Sequence, residues 1–196
     1  MNDPVRFVVA GLGWWGRSWT DVLKIHPAVQ LIATVDPSTA ARDWNRANLA
    51  IGHFLDLDSA FSETDADAVL VTTPPKLHYP VLLNALAYGK HVLVEKPLVA
   101  SPDEVPEILR AVEGTNAKVM VAQGYRFMDS AAILRRTLES GKIGEIQAIR
   151  ILFRQYVPDI LKQDHPLYQL KHSILVDMAN HHIDRPPGRK ILPHRY

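Results

Sequence analysis

The sequence contains no cysteine, which excludes disulfide bonds and thiolate metal ligands. It also lacks an excess of charge, because 22 Lys and Arg residues against 21 Asp and Glu leave a net charge of +1. We therefore expect neither nucleic acid nor an anionic membrane surface as a partner. No apolar run approaches the roughly 20 residues that cross a bilayer. The N-terminus has no basic signal-peptide segment, and a cytoplasmic location is expected.

The length of 196 residues predicts one complete domain followed by part of a second. Short apolar strands alternate with helical segments as far as residue 122. Strands are predicted at 6–10, 29–35, 68–72, 91–94 and 118–122. Helices are predicted at about 15–26, 38–49 and 77–86, and from a capping box that begins at Ser101. Because parallel strands need crossover helices, the fold class is α/β with a doubly wound parallel sheet over residues 1–123.

The pattern changes after Gln123. A helix is predicted from 130 to 140, a long alternating strand from 145 to 157 and another helix from 173 to 184. This mixture predicts a partial α+β domain over residues 124–184.

A G-x-G-x-x-G motif follows the first predicted strand and opens the first helix. Its residues, all predicted to contact a dinucleotide, are Gly11, Leu12, Gly13, Trp14, Trp15 and Gly16. The first glycine permits the sharp turn, the second lets a pyrophosphate approach the backbone and the third allows close helix–strand packing. The N-terminus of the helix offers unpaired N–H groups to phosphates.

An acidic residue stands where a dinucleotide site needs one. Asp36 ends the second predicted strand, about 20 residues after the glycines, and can bind the adenosine ribose diol. A carboxylate there repels a 2′-phosphate, so NAD is predicted over NADP, although Arg42 could turn to meet such a phosphate. The alternative interpretation of the motif and the acid together is a structural turn beside a solvated aspartate.

Two later strand ends also carry candidate site residues. Thr73, Pro74 and His78 follow the third confident strand and are predicted to lie against the cofactor. Glu95 and Lys96 follow the next strand, at the carboxyl edge where ligands bind in open α/β sheets. Taken alone, the first segment is an ordinary strand-ending turn and Lys96 a solvated loop lysine.

Five separated motifs resemble those of the Gfo/Idh/MocA family, the glucose–fructose oxidoreductase and inositol dehydrogenase group. The resemblance runs from about Val5 to Asp184. The motifs are the glycine-rich turn, Thr73–His78, Gly89–Leu98, Gly124–Phe127 and Asp177–Asp184, the last with Ala179 in place of a glycine.

This resemblance implies an oxidoreductase that holds its substrate between a Rossmann domain and a C-terminal domain. It implies that Lys96 binds the substrate hydroxyl, that His181 is the general base and that Asp177 holds the substrate or orients His181. The spacing agrees, because residues 177, 181 and 184 share one face of a helix. Histidine as a residue type suits proton abstraction near neutral pH. The alternatives are a polar helix face or a zinc site, but the family uses no metal, so none is expected.

The sequence departs from the family after Asp184. Residues 185–196 form a basic, proline-rich tail, and its paired prolines would stop the preceding helix. We hypothesise that the gene is truncated or frame-shifted near residue 185. The predicted strand at 145–157 would then lack sheet partners, which predicts a homodimer that covers this edge.

The leading hypothesis is therefore a dehydrogenase that moves hydride between a nicotinamide cofactor and a secondary alcohol of a sugar, cyclitol or related polyol. The alternative is a catalytically inactive NAD-binding remnant or a regulatory module, since catalysis needs the substrate held in near-attack geometry. A Rossmann protein for another nucleotide, such as S-adenosylmethionine, is disfavoured by the Glu-Lys-Pro and Asp-x-x-x-His elements.

Overall fold

The computed structural model describes residues 3–148, 150 and 152. The chain divides into two compact units, residues 1–122 and 123–196, which are considered separately. The predicted helix at 173–184, with Asp177 and His181, and the tail at 185–196 lie outside the described residues.

The first unit is built on a six-stranded parallel sheet. Its strands are β1 (Val5–Ala10), β2 (Val29–Val35), β3 (Gly52–Phe54), β4 (Ala68–Val71), β5 (His91–Val94) and β6 (Val119–Val121). They lie in the order β3-β2-β1-β4-β5-β6, and every neighbouring pair is parallel. The order reverses between β1 and β4, which places a ligand crevice at their carboxyl ends. The predicted doubly wound α/β fold is confirmed.

Helices connect these strands. They are α1 (Trp14–Ile25), α2 (Thr39–Asn48), α3 (Leu57–Glu63), α4 (Pro75–Ala87) and α5 (Val105–Glu113). A short 3₁₀ turn (Pro102–Glu104) precedes α5, and the predicted capping box at Ser101 is present there. Gly89 has a φ of +67° after α4, a backbone conformation that favours glycine at a helix C-terminus. The sequence did not predict β3 and α3.

The alternation of side chains along each strand divides the core between the two faces of the sheet. On β1, Val8 and Ala10 pack with α3, α4 and α5, whereas Val9 packs on the opposite face. That opposite cluster contains Leu12, Leu23 and Ala41, with Trp19 and Trp44 partly buried against it. The central strands β1 and β4 are therefore covered on both sides where they run through the core.

An ion pair lies at the amino end of the sheet, opposite the crevice. The Arg6 guanidinium donates to both Asp67 oxygens, at 3.0 Å from Nε and 2.9 Å from Nη2. The Arg6 backbone N–H donates to the same carboxylate at 2.8 Å. These hydrogen bonds lower the pKa of Asp67 to about 2, so the pair stays ionised and joins β1 to the loop before β4.

The described part of the second unit contains a 3₁₀ turn (Gly124–Phe127) and the helix α6 (Asp129–Glu139). Residues 145–148, 150 and 152 belong to no strand, and the rest of the predicted strand lies outside the described residues. In the part of the chain that the structure describes, no helix has the length and apolar character needed to span a membrane.

Candidate functional site

The turn between β1 and α1 is shaped by three glycines with different surroundings. Gly11 has a φ of +96°, and a Cβ on it would lie 2.8 Å from the backbone nitrogen of Thr73. A Cβ on Gly16 would lie 1.9 Å from the carbonyl oxygen of Gly11, so the helix packs directly against the strand end. A Cβ on Gly13 would meet no described atom within 4 Å. The turn therefore has no room for a side chain at Gly11 or Gly16, whereas the space beside Gly13 is free.

The other residues of the motif separate into buried and exposed groups. Leu12 is buried in the core cluster that contains Leu23 and Val9. Trp14 and Trp15 begin α1 and keep 73% and 52% of their surface exposed. Their rings contact each other edge to face, with centroids 4.6 Å apart. An exposed aromatic pair thus stands beside the open glycine.

Asp36 stands directly after β2 and is tied to the glycine turn. Its Oδ2 accepts a hydrogen bond from the backbone N–H of Leu12 at 2.9 Å. Its Oδ1 accepts one from the backbone N–H of Ser38, also at 2.9 Å. A carboxylate oxygen can accept more than one hydrogen bond, so this half-buried group keeps capacity for a pair of ligand hydroxyls.

A network of hydrogen-bonded side chains, which was not predicted from the sequence, lies behind Asp36. Asn45 Nδ2 donates to Thr34 Oγ1 at 2.6 Å, and that hydroxyl lies 2.9 Å from His53 Nδ1. His53 Nε2 lies 3.1 Å from the carbonyl oxygen of Asp36. Thr34 and Asn45 are buried, and buried polar groups need such partners. This network links α2, β2 and β3 to the backbone of Asp36.

The segment after β4 contributes a buried hydroxyl on the loop and a buried imidazole on α4. Thr73 Oγ1 has no hydrogen-bond partner among the residues that the structure describes. His78 is 1% exposed, and its Nε2 lies 2.8 Å from the carbonyl oxygen of Thr73. Pro74 is exposed as the N-cap of α4. An unpaired buried hydroxyl costs free energy, which favours a ligand group as its partner.

The loop after β5 carries the predicted Glu95 and Lys96. Glu95 is 9% exposed, and its Oε1 accepts a hydrogen bond from the Trp19 indole at 2.8 Å. Its Oε2 accepts the backbone N–H of Lys96 at 3.1 Å. Lys96 is half-buried and precedes Pro97 through a cis peptide bond. The partnership between Trp19 and Glu95 was not predicted, because these residues are 76 positions apart in sequence.

Parallel strands bring all these groups to one edge of the sheet. The glycine turn, Asp36, Thr73 and the Glu95–Lys96 pair follow β1, β2, β4 and β5 at their carboxyl ends. Asp177 and His181 lie outside the described residues, so their catalytic roles stay predictions. Among the residues that the structure describes, no group of His, Asp or Glu could hold a metal ion.

The residues at this edge fit a nicotinamide dinucleotide. The open space at Gly13 admits a close approach to the backbone, and the N-terminus of α1 presents N–H groups there. Asp36 offers a carboxylate for ribose hydroxyls. The unpaired hydroxyl of Thr73 adds a further polar contact. Backbone N–H groups, a carboxylate and a hydroxyl are thus available to different parts of one extended ligand.

Comparison with known proteins identifies similar chains. The inositol 2-dehydrogenase of Rhizobium meliloti is 27% identical over 92% of this chain and 53% of its own length. The NADP⁺-dependent scyllo-inositol 2-dehydrogenase of Bacillus subtilis is 24% identical over 93% of this chain and 51% of its own length. The scyllo-inositol dehydrogenase of Lactobacillus casei, solved with NAD(H) and scyllo-inositol, has a TM-score of 0.68 and 27% identity. That similarity covers 73% of this chain and 43% of the solved chain.

The chain spans about half the length of the curated relatives that it matches. The model of the GFO/IDH/MocA family, described as an oxidoreductase family with an NAD-binding Rossmann fold, matches residues 5–123. This range contains the whole described sheet and every described candidate site residue. The chain therefore belongs to the GFO/IDH/MocA family of oxidoreductases, whose members bind a nicotinamide cofactor in a Rossmann domain of this kind.

Proposed function

We propose that this chain is a nicotinamide-dependent oxidoreductase that acts on a secondary alcohol of a cyclitol, sugar or related polyol. The observation that carries the proposal is the common edge shared by the open glycine turn, Asp36 and Lys96. The inositol dehydrogenases among the relatives support a polyol as the substrate class.

The pyrophosphate is proposed to bind at the start of α1. The first N–H groups of a helix have no partner within the helix, and the helix dipole adds partial positive charge there. Gly13 has the extended conformation of an N-cap residue and leaves room for phosphate oxygens. Trp14 and Trp15 follow Gly13 directly, and their exposed rings are available to contact a ligand bound there.

Asp36 is proposed to favour NAD over NADP. Its two oxygens would each accept one ribose hydroxyl in addition to the backbone N–H that they already hold. A phosphate on the 2′-position would bring like charges together beside this carboxylate. One relative uses NADP⁺, so membership of the family does not by itself decide between the two cofactors.

The catalytic roles are proposed from the motifs of the family. Lys96 would donate a hydrogen bond to the substrate hydroxyl at the end of β5, and His181 would take the proton of that hydroxyl. Asp177 would orient His181 or hold the substrate. The nicotinamide, when bound, would accept the hydride from the carbon that carries this hydroxyl. The alcohol thereby loses two electrons and two hydrogens and becomes a ketone.

A thermal-shift titration with NADH and NADPH tests the cofactor site. A ligand that binds only the folded chain at about 100 times its Kd adds roughly 2.7 kcal/mol to stability. We expect NADH to raise the melting temperature more than NADPH does. Asp36→Ala should reduce the NADH shift and narrow the difference between the cofactors, because it removes both the ribose acceptor and the repulsion.

Asp21→Ala is the charge-matched control. Asp21 is an exposed aspartate on α1, and its carboxylate lies 3.7 Å from Lys24. This variant removes the same charge and should leave both shifts unchanged. Equal shifts with NADH and NADPH in the unchanged protein would contradict the NAD preference. Absence of any shift would contradict the proposed cofactor site.

Cofactor binding without turnover on any polyol would favour the alternative of an NAD-binding module that does not catalyse. The half-length match to the curated relatives is the observation that keeps this alternative in view. A screen of inositols and hexoses, in which turnover is measured as a rise in NADH absorbance, distinguishes the two functions.

Self-association is proposed for the second unit. Its described residues expose several large apolar side chains, namely Phe127, Met128, Ile133, Leu134, Ile143 and Leu152. Apolar surface of this kind favours contact with another chain, and a second copy of this chain is the proposed partner. A monodisperse monomer in light scattering at micromolar concentration would contradict the proposal.

A further inference from the structure

The three-residue turn Glu95–Pro97, which follows β5 and contains Lys96, is held from two helices. Trp19 on α1 donates its indole N–H to Glu95 Oε1 at 2.8 Å. His78 on α4 contacts the carbonyl oxygen of Pro97 through Nδ1 at 2.7 Å. Lys96 therefore lies between two neighbours that are each anchored by a side chain distant in sequence.

The anchor at Glu95 reaches the backbone of Lys96 itself. Glu95 Oε2 accepts the N–H of Lys96 at 3.1 Å, while Oε1 is occupied by Trp19. A carboxylate that is only 9% exposed needs donors of this kind, because desolvation of its charge is costly. The two hydrogen bonds orient the Glu95 side chain, and the side chain in turn holds the peptide nitrogen of Lys96. Glu95 thus acts on the placement of Lys96.

The anchor at His78 joins the turn to the loop after β4. Its ring is 1% exposed, with Nδ1 at Pro97 and Nε2 at the carbonyl oxygen of Thr73. Both partners are carbonyl oxygens, which only accept hydrogen bonds, and a neutral imidazole carries one N–H, so the ring donates to one of them and packs against the other. The imidazole therefore bridges the loop that carries Lys96 and the loop that carries the unpaired hydroxyl of Thr73.

We propose that Trp19 and His78 are positioning residues that fix Lys96 relative to the cofactor site. Trp19 acts through Glu95 and links Lys96 to the helix that begins at the glycine turn. His78 acts through Pro97 and links Lys96 to the loop after β4. The inference rests on the proposed function, in which Lys96 contacts the substrate hydroxyl. Loss of either anchor displaces Lys96 from near-attack geometry, and a displacement of about 1 Å costs on the order of 100-fold in rate.

Trp19→Phe is the first test. Phenylalanine keeps an aromatic ring in the apolar cluster and removes the indole N–H that Glu95 accepts. Trp44→Phe is the matched control, since Trp44 packs against the same cluster from α2. His78→Gln tests the second anchor, because the glutamine amide nitrogen can take the place of Nε2 beside Thr73 and leaves the carbonyl oxygen of Pro97 without its ring partner.

Amide hydrogen exchange measures the positioning without any need for turnover. The N–H of Lys96 is protected by Glu95, so Trp19→Phe should raise its exchange rate about tenfold or more through local opening. The N–H of Gly11, which donates to Val35, is the internal reference and should not change. An exchange rate at Lys96 equal to that in Trp44→Phe would overturn the proposal.

Steady-state kinetics measure the consequence. Trp19→Phe and His78→Gln should lower kcat by about 10- to 100-fold and change the Kd for NADH by less than about threefold. A parallel loss of kcat, cofactor affinity and melting temperature would indicate a general structural role and overturn the proposal. Absence of turnover in the unchanged protein would overturn the proposed function instead, and the exchange rates would still decide the positioning of Lys96.

Discussion

Gly16→Ala is expected to lower the free energy of unfolding by about 3 kcal/mol and to abolish NADH binding. The new Cβ would lie 1.9 Å from the carbonyl oxygen of Gly11 and 2.8 Å from Thr72 Oγ1. Thr72 Oγ1 itself donates to the Gly11 carbonyl at 2.7 Å, so neither neighbour is a flexible side-chain end. The start of α1 must move away from β1, and the phosphate site moves with it. Urea unfolding and an NADH titration measure the two effects.

Two other glycine replacements make the prediction specific. Gly13→Ala should fold as the unchanged protein does, because its Cβ meets no described atom within 4 Å, yet it should weaken NADH binding by filling the open space. Gly114→Ala should affect neither property. Gly114 has a φ of −79°, and its Cβ would make only ordinary contacts at 3.6 Å.

The contrast between Gly13 and Gly16 tests the division of roles within one motif. Destabilisation by Gly13→Ala as large as that by Gly16→Ala would contradict an open surface at Gly13. A Gly16→Ala variant that unfolds at the normal urea concentration would contradict the close packing of α1 on β1.

Lys96→Met is expected to lower kcat by about 100-fold or more while the affinity for NADH stays near its normal value. Methionine keeps much of the length of the side chain but removes the charged donor that would hold the substrate hydroxyl. Glu95 and Pro97 remain anchored by Trp19 and His78, so the backbone of the loop should keep its place. The measurement is oxidation of an inositol followed by NADH absorbance, with the Kd for NADH determined separately.

Lys118→Met is the matched control for this variant. Lys118 is an exposed lysine just before β6, at the amino edge of the same sheet and therefore opposite the proposed site. Its replacement removes the same charge and should leave kcat unchanged. Equal turnover in Lys96→Met and Lys118→Met would remove Lys96 from the catalytic assignment.

His181→Ala should reproduce the loss of turnover for a different reason. Removal of a general base leaves the hydroxyl proton without an acceptor, a loss of about 100- to 10,000-fold. Cofactor binding should again persist, because every residue proposed to contact NADH lies in the first unit. Normal rates in both Lys96→Met and His181→Ala would show that the motifs of the family do not carry catalysis in this chain.

Local patterns predicted most of the first unit. The strands Val29–Val35 and His91–Val94 were predicted with the bounds that the structure has, because each is a short apolar run ended by turn residues. The capping box at Ser101 and the glycine after α4 were also predicted from adjacent residues. Signals of this kind depend on a few neighbouring residues, so they can be read without knowledge of the fold.

The strand β3 and the helix α3, which lie between α2 and β4, were not predicted because their local signals are weak. β3 has three residues and α3 has seven, which is too short for either to show a clear period. Asp56 was the available signal, since its side chain caps α3 by accepting the N–H of Ser59. β3 is an edge strand, held by its pairing with β2. Its existence depends on that partner more than on its own residues.

Linear features of the chain were sufficient to predict the fold class, the family and most of the residues that meet at the carboxyl edge of the sheet. Glycines, strand ends and an acid at a given spacing are local or linear features, and the parallel topology then brings them together. Which of these residues are open to solvent at that edge, and which hold other loops in place, follows only from the packing of the folded chain. His78 was predicted as a cofactor contact, and the fold places its ring between two backbone carbonyls. Trp19 was a residue of an apolar helix face until the fold placed its indole against Glu95. Hydrogen bonds between residues far apart in the chain depend on the packing of α1 and α4 against the sheet, and no linear spacing records that packing.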